Sequence, residues 1–148
     1  MKIFIQKVLS ASVEVDKKII GSIQSGLLLY VGFTHTDTEQ ECLSAIEKIR
    51  NLRLFPSTDK TAHFDRSIEQ AEGELLVISQ FTLYGNLSKG RRPSFDAAMK
   101  PEDAKKIYDF FVESLKHHTS LNIQTGEFGA HMLVSSINNG PVTFILEI

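Results

Sequence analysis

Three short stretches of the chain carry residue types that could do chemistry. In Ser79-Gln80-Phe81-Thr82-Leu83, two hydroxyls and an amide follow directly on the apolar run Leu75-Leu76-Val77-Ile78. If the strand continues through them, Gln80 and Thr82 share one face, and Ser79 and Phe81 the other. An amide beside a hydroxyl at the end of a central strand makes a compact hydrogen-bonding platform. It suits the orientation of an ester carbonyl or the stabilisation of its oxyanion. The same groups could equally satisfy strand-end backbone. The second stretch, Asn138-Asn139-Gly140-Pro141-Val142-Thr143, reads by residue type as an ordinary hairpin turn, because Asn and Gly tolerate positive φ. Its Gly140–Pro141 bond is a candidate for the cis isomer. The third, Lys89-Gly90-Arg91-Arg92-Pro93-Ser94-Phe95, places three cations around a glycine. That is either a site for phosphate or a solvated charged face.

Other chemistries find little support. The histidines at 35, 63, 117, 118 and 131 show no metal-ligand spacing. His117-His118 closes a helical stretch, where a cation is favoured. Cys42 lies on an apolar helical stripe and reads as a core residue. No GxSxG elbow, P-loop or glycine-rich dinucleotide fingerprint is present. Neither a metal nor a cofactor is expected.

The elements that must position these residues can be read from periodicity. Residues 3–9, 11–15 and 18–23 read as strands, with a turn at Asp16-Lys17-Lys18. Residues 26–33 are apolar on both faces and belong in the centre of a sheet. Asp37, with Gln40 three residues on, predicts the cap of a helix whose stripe is Cys42, Leu43, Ile46 and Ile49 and whose end falls near 50–53. Residues 57–73 read as irregular and 74–83 as a strand. Pro101 opens a second helix with Ala104, Ile107, Tyr108, Phe111 and Leu115 on one face. Strands at 121–124, 130–137 and 141–148 close the chain. About eight strands and two helices predict the α+β class, with curled, barrel-like antiparallel or mixed sheets and the two main helices packed outside.

Composition sets the outer limits. The 148 residues suit one domain over 1–148, large enough to bury a core without metal or disulfide. Hydrophobic residues at 42% and charged residues at 23% argue against disorder. A net charge of −2 argues against coating a long nucleic acid but leaves room for a local RNA contact. The single cysteine excludes an internal disulfide. No apolar run is long enough for a membrane span, and the N-terminus turns polar too early for a signal peptide. The expectation is a cytoplasmic protein with no membrane partner.

Taken together, Ser79-Gln80-Phe81-Thr82-Leu83 and Asn138-Asn139-Gly140-Pro141-Val142-Thr143 resemble the two signature motifs of D-aminoacyl-tRNA deacylases of the bacterial and eukaryotic type. The resemblance runs along the chain through Gln6-Lys7-Val8, Ala11-Ser12-Val13, Gly26-Leu27-Leu28, Arg91-Arg92-Pro93-Ser94-Phe95 and Gly126-Glu127-Phe128-Gly129-Ala130-His131-Met132. It implies a hydrolase that cleaves the ester between a D-amino acid and the tRNA 3′ ribose, with the aminoacylated tRNA 3′ end as its partner. It also implies a homodimer with active sites at the subunit interface. Gly140-Pro141 would then be a Gly-cisPro dipeptide that reaches into the partner's site. There Ser79, Gln80, Phe81 and Thr82 line the pocket around ester and terminal adenosine, Met132 helps line it, and Asn139 stands where the family more often has Asp. A rigid main-chain wall at the Cα would reject L-amino acids by shape and leave achiral glycine unexcluded. Lys89, Arg91 and Arg92 are the candidates for tRNA phosphate contacts. Where the family usually has Lys-Met-Asn, this chain reads Thr61-Ala62-His63-Phe64-Asp65. Two other readings remain: a non-catalytic RNA-end or nucleotide-binding module, and a trans-proline paralogue acting on mischarged L-aminoacyl-tRNA.

Overall fold

The computed structural model describes residues 1–88 and 90–148; the candidate Lys89 lies outside them. The described residues form six strands, two helices and one 3-10 turn. The apolar runs at 26–33 and 74–79 become the parallel pair β3 (Gly26–Gly32) and β4 (Glu74–Ser79), with Leu28 opposite Leu76 and Val31 opposite Ser79. Both strands are covered on both faces, which is why they lack alternation. Burying each such Leu, Ile or Val stabilises the fold by about 1.5–3 kcal/mol, so whatever hangs from the end of β4 hangs from the firmest part of the sheet.

Around this pair lie β1 (Lys2–Val15), β2 (Lys18–Ile23), β5 (Ile123–Thr125) and β6 (Leu133–Glu147). The first half of β1 pairs antiparallel with β3 and the second half with β2. Along its other edge β1 pairs antiparallel with β6, and β5 adds in parallel beyond β4. The sheet curls until β2 approaches β5: a methyl on Gly21 would sit 2.8 Å from the Thr125 carbonyl oxygen. The result is the expected α+β fold with a barrel-like mixed sheet.

Helices α1 (Glu39–Asn51) and α2 (Pro101–His118) share one face of the sheet. Ile46, Ile49, Phe111 and Leu115 pack there on Ile3, Ile5, Leu29 and Val77. A second, smaller core of Val8, Val13, Ile23, Leu28, Leu76 and Ile78 fills the opposite, curled face.

Four expectations need correction. The strands expected at 3–9 and 11–15 are one strand, as are those at 130–137 and 141–148, so eight become six. The apparent breaks are bulges in the long β1–β6 ladder. Gln6 pairs with Thr143 and Val8 with Asn138, so Lys7 faces the four residues 139–142; Leu9 is then extra on β1. The turn-type residues at 138–141 therefore bulge out of a strand rather than close a hairpin. Helix α1 is capped by Thr38, not Asp37, in a capping box with Glu41. Asp37 is instead buried, accepting hydrogen bonds from the Met1 ammonium and the Thr34 N–H, each at 2.7 Å. Finally, the strand expected to reach 83 stops at Ser79, and residues Phe81–Tyr84 wind into the 3-10 turn η1.

Candidate active site

The polar platform is built at that strand end. Gln80 still donates its N–H to Val31 O at 2.7 Å, the last bond of the β3–β4 ladder. The chain then turns, held by Leu83 N–H to Gln80 O at 3.3 Å and Gly85 N–H to Thr82 O at 2.9 Å. Gly32 makes the turn possible, since a methyl there would stand 2.7 Å from Gln80 O and 3.2 Å from Leu83 Cβ. The turn brings Gln80 and Thr82 together more closely than a strand would: Gln80 Nε2 donates to Thr82 Oγ1 at 2.5 Å. Ser79 and Gln80 are half-buried, while Thr82 and Phe81 are exposed, Phe81 by 57%.

Two consequences are chemical. The first N–H groups of any helical turn lack intrahelical acceptors, and here those of Phe81 and Thr82 meet no backbone acceptor among the described residues. With its oxygen accepting from Gln80, the Thr82 hydroxyl keeps its own hydrogen for a ligand. The recorded partner of Thr82 is an amide, which cannot take up a proton; no imidazole or carboxylate bonds it among the described residues.

Beyond the turn, Asn86 and Ser94 form an isolated antiparallel bridge, exchanging backbone bonds at 2.7 and 3.1 Å. Gly90 has φ +70, and Arg91 and Arg92 are exposed. Phe95 follows and meets Phe81 edge to face, with ring centroids 4.9 Å apart. Tyr84, the last residue of the turn, lies under the Lys2 ammonium at 5.2 Å, and burial pushes its phenol up to about 12. Met132 is half-buried against the smaller core and occupies the space that a side chain at Gly126 would take.

The Asn139–Val142 bulge is a separate feature. Asn138 clamps it, donating from Nδ2 to Thr143 Oγ1 at 2.9 Å and accepting from the Val142 N–H at 3.3 Å. Gly140 has φ +131, a region open to glycine, and the Gly140–Pro141 bond is cis. Gly140 and Pro141 are exposed and Asn139 is half-buried. Opposite the bulge, Lys7 is only 8% exposed, and desolvation lowers its pKa; its ammonium lies 5.8 Å from the Phe64 ring centroid. Lys7, Asn138 and Phe95 were not singled out from sequence as site residues. For Lys7 the signal existed, as a charge on the buried side of an alternating strand.

One chain does not bring the two motifs together. Gln80 stands level with Gly32 and Lys2, whereas the bulge stands level with Lys7 and three strands away. At about 3.4 Å per residue and 4.8 Å per strand, the sheet separates them by roughly 20 Å. A polar groove of about 720 Å³ among Arg50, Glu69, His118 and Asn122 takes in neither motif.

Fold and platform thus define an α+β protein whose candidate site is a main-chain turn at a strand end rather than a side-chain triad. The chain belongs to the D-Tyr-tRNA(Tyr) deacylase family, whose model matches residues 4–147. Proteins named D-aminoacyl-tRNA deacylase from Bacillus thuringiensis (strain Al Hakam) and Bacillus cereus (strain 03BB102) are each 50% identical over 147 residues, covering 99% of both chains. Among solved structures, the c-Myc DNA unwinding element binding protein is 38% identical with a TM-score of 0.95, covering 100% of this chain and 99% of its own. A structure described as a probable eukaryotic D-amino acid tRNA deacylase shares the fold, with a TM-score of 0.87 at 18% identity over 99% and 98% of the two chains.

Proposed function

We propose that this chain hydrolyses the ester of D-aminoacyl-tRNA, releasing the free D-amino acid and the tRNA. Family membership over nearly the whole length supports the reaction. The single structural observation that carries the site is the pair of N–H groups at Phe81 and Thr82 without backbone acceptors, beside the Gln80–Thr82 hydrogen bond. These N–H groups polarise the ester carbonyl. Water adds to its carbon, the oxyanion forms against the same donors, and the bond to the ribose oxygen breaks. The ribose oxygen takes one proton of the water and the other passes to solvent, so the products are a carboxylate and a free hydroxyl. The neighbouring ribose 2′-OH of the substrate relays the proton from water, because the turn supplies no base of its own. Ser79 and Met132 shape the pocket, and Arg91 and Arg92, with Lys89, hold tRNA phosphates.

The wall that rejects L-esters is the main chain of Asn139, Gly140 and Pro141 from a second copy. The roughly 20 Å between turn and bulge within one chain, and the exposed apolar side chains along β6, support a homodimer with shared sites. A glycyl ester carries no side chain for the wall to meet, so Gly-tRNA is also a substrate. The setting is cytoplasmic, where aminoacyl-tRNA is used; no described helix is long and apolar enough to cross a membrane.

The deciding experiment compares turnover of D-Tyr-tRNA and L-Tyr-tRNA. Release of D-tyrosine with the L-ester left intact is the expected result. Equal cleavage of both would remove the wall, and preference for the L-ester would favour the paralogue that acts on mischarged L-aminoacyl-tRNA. Retention of the RNA with neither ester cleaved would make the chain a binding module.

A further inference from the structure

We propose that Phe95 is a positioning residue for the Phe81–Thr82 turn, fixing the direction in which the turn's free N–H groups point. The inference rests on the reading of that turn as the ester site and names the part that holds it in place. Such a part is needed at the start of η1, where Phe81 and Thr82 carry the free N–H groups and are both exposed, Phe81 by 57%. Two backbone hydrogen bonds, the close seat on Gly32 and the half-buried Leu83 and Tyr84 anchor the other end of the turn.

Phe95 supplies the missing support from the far side. Its ring meets that of Phe81 edge to face at 4.9 Å and an interplanar angle of 63°. Its edge also lies against the turn's exit, where a methyl on Gly85 would stand 3.1 Å from Phe95 Cε1 and 2.9 Å from Thr82 O. Gly85 thus lets the phenyl ring reach the main chain of the turn itself.

Phe95 is in turn anchored to the rigid sheet. Ala98 N–H donates to Phe95 O at 2.9 Å, Thr34 Oγ1 donates to Ala97 O at 2.6 Å, and Met99 N–H donates to Phe33 O at 3.0 Å. The segment at 95–99 is therefore a ledge pinned to the end of β3, the strand beside the one that delivers Gln80. The turn is held between two supports tied to the same strand: Gly32 beneath and Phe95 alongside. An aromatic pair in this geometry restrains orientation as well as burying area.

The test uses the full chain and two substrates, D-Tyr-tRNA and the D-tyrosyl ester of adenosine, which lacks every phosphate contact. Phe95→Ala is expected to lower kcat about tenfold on both, with KM changed less than about twofold. Phe95→Tyr, which keeps the ring, is expected to restore the rate. Wild-type kcat for Phe95→Ala on both substrates would overturn the proposal. So would a loss confined to the tRNA, since that would place Phe95 in the grip on RNA. If Phe95→Ala does not fold, Phe95→Leu at an unchanged Tm decides by the same criteria. Phe81→Pro, which deletes a proposed donor, separates the two levels. If it hydrolyses both esters at the wild-type rate, the turn is not the ester site; if it is impaired while Phe95→Ala is normal, only the positioning role fails.

Discussion

The hydroxyl of Thr82 is the exposed candidate nucleophile on the platform, yet its surroundings argue against covalent catalysis. A threonine attacks only when a base takes its proton, and its hydrogen-bond partner here is the Gln80 amide. The main-chain N–H groups carry the larger share of the work in this reading. Two substitutions separate the roles. Thr82→Ala removes one neutral hydrogen bond and should cost no more than about tenfold in single-turnover rate, with no aminoacyl adduct on the chain by mass spectrometry. Phe81→Pro removes an N–H at the first position of a helical turn, where proline is tolerated, and should cost about 10²–10³ in kcat. Phe81→Leu, which keeps the N–H but loses the ring that meets Phe95, is the reference, and the loss of Phe81→Pro beyond it measures the donor. The opposite order of effects would make Thr82 the nucleophile.

At the scale of elements, stability and activity rest on different parts. Thr38 and Glu41 cap α1 on the helix side, with the Thr38 N–H and hydroxyl both donating to Glu41 at 2.8 and 2.6 Å. Thr38→Ala should lower unfolding free energy by about 1 kcal/mol in urea titrations while leaving kcat unchanged. Those hydrogen bonds hold the Glu41 carboxyl below its ordinary value of 4.5. A lowered folded-state pKa stabilises the fold above the unfolded value and loses that contribution as pH falls through the folded one. Thr38→Ala should therefore flatten the acid limb of the stability profile below about pH 4.5, read by urea midpoints across pH. Elements with strong periodicity were legible in sequence: β3 and β4 from unbroken apolar runs, α2 from Pro101 and its stripe, the hairpin turn from Asp16-Lys17. The cap lay one residue from its expected place because Asp37 and Thr38 are both good caps, and burial of Asp37 against Met1 decided between them. The 3-10 turn was not legible, since four residues carry no period. The bulge was misread because Asn and Gly serve bulges and hairpins alike, and only pairing with β1 tells them apart. The motifs could be read from residue types; their separation could not, because it depends on register.

That separation is the main problem at the scale of the whole molecule. Strand β6 is fifteen residues long, pairs on one edge with β1, and exposes Leu133, Ile137, Phe144 and Ile145, with Ile148 exposed just beyond its end. A long apolar edge strand is a pairing surface unless something covers it. A second copy related by a two-fold axis would cover it and carry its own Asn139–Val142 bulge towards the first copy's turn. Ile137→Asp should then shift the species in light scattering from dimer to monomer and, at the same time, open the turn to L-Tyr-tRNA. Sharing of sites has a sharper signature. Gly140→Ala should disable the bulge without unfolding the chain, because the new methyl would stand 2.6 Å from Val142 Cγ2 at φ +131 in an exposed segment. Phe81→Pro disables the turn instead. In a mixed dimer of the two, one of the paired sites combines an intact turn with an intact bulge, while the other has neither. By this mechanism Gly140→Ala alone cleaves L-Tyr-tRNA as well as D-Tyr-tRNA, and Phe81→Pro alone cleaves neither. With random pairing about half the dimers are mixed, and their one working site has an intact wall, so co-expression should about halve the ratio of L- to D-ester cleavage relative to Gly140→Ala alone. If each copy carried a complete site of its own, that ratio would not change, so a halved ratio would place the turn and the bulge of one site on different chains.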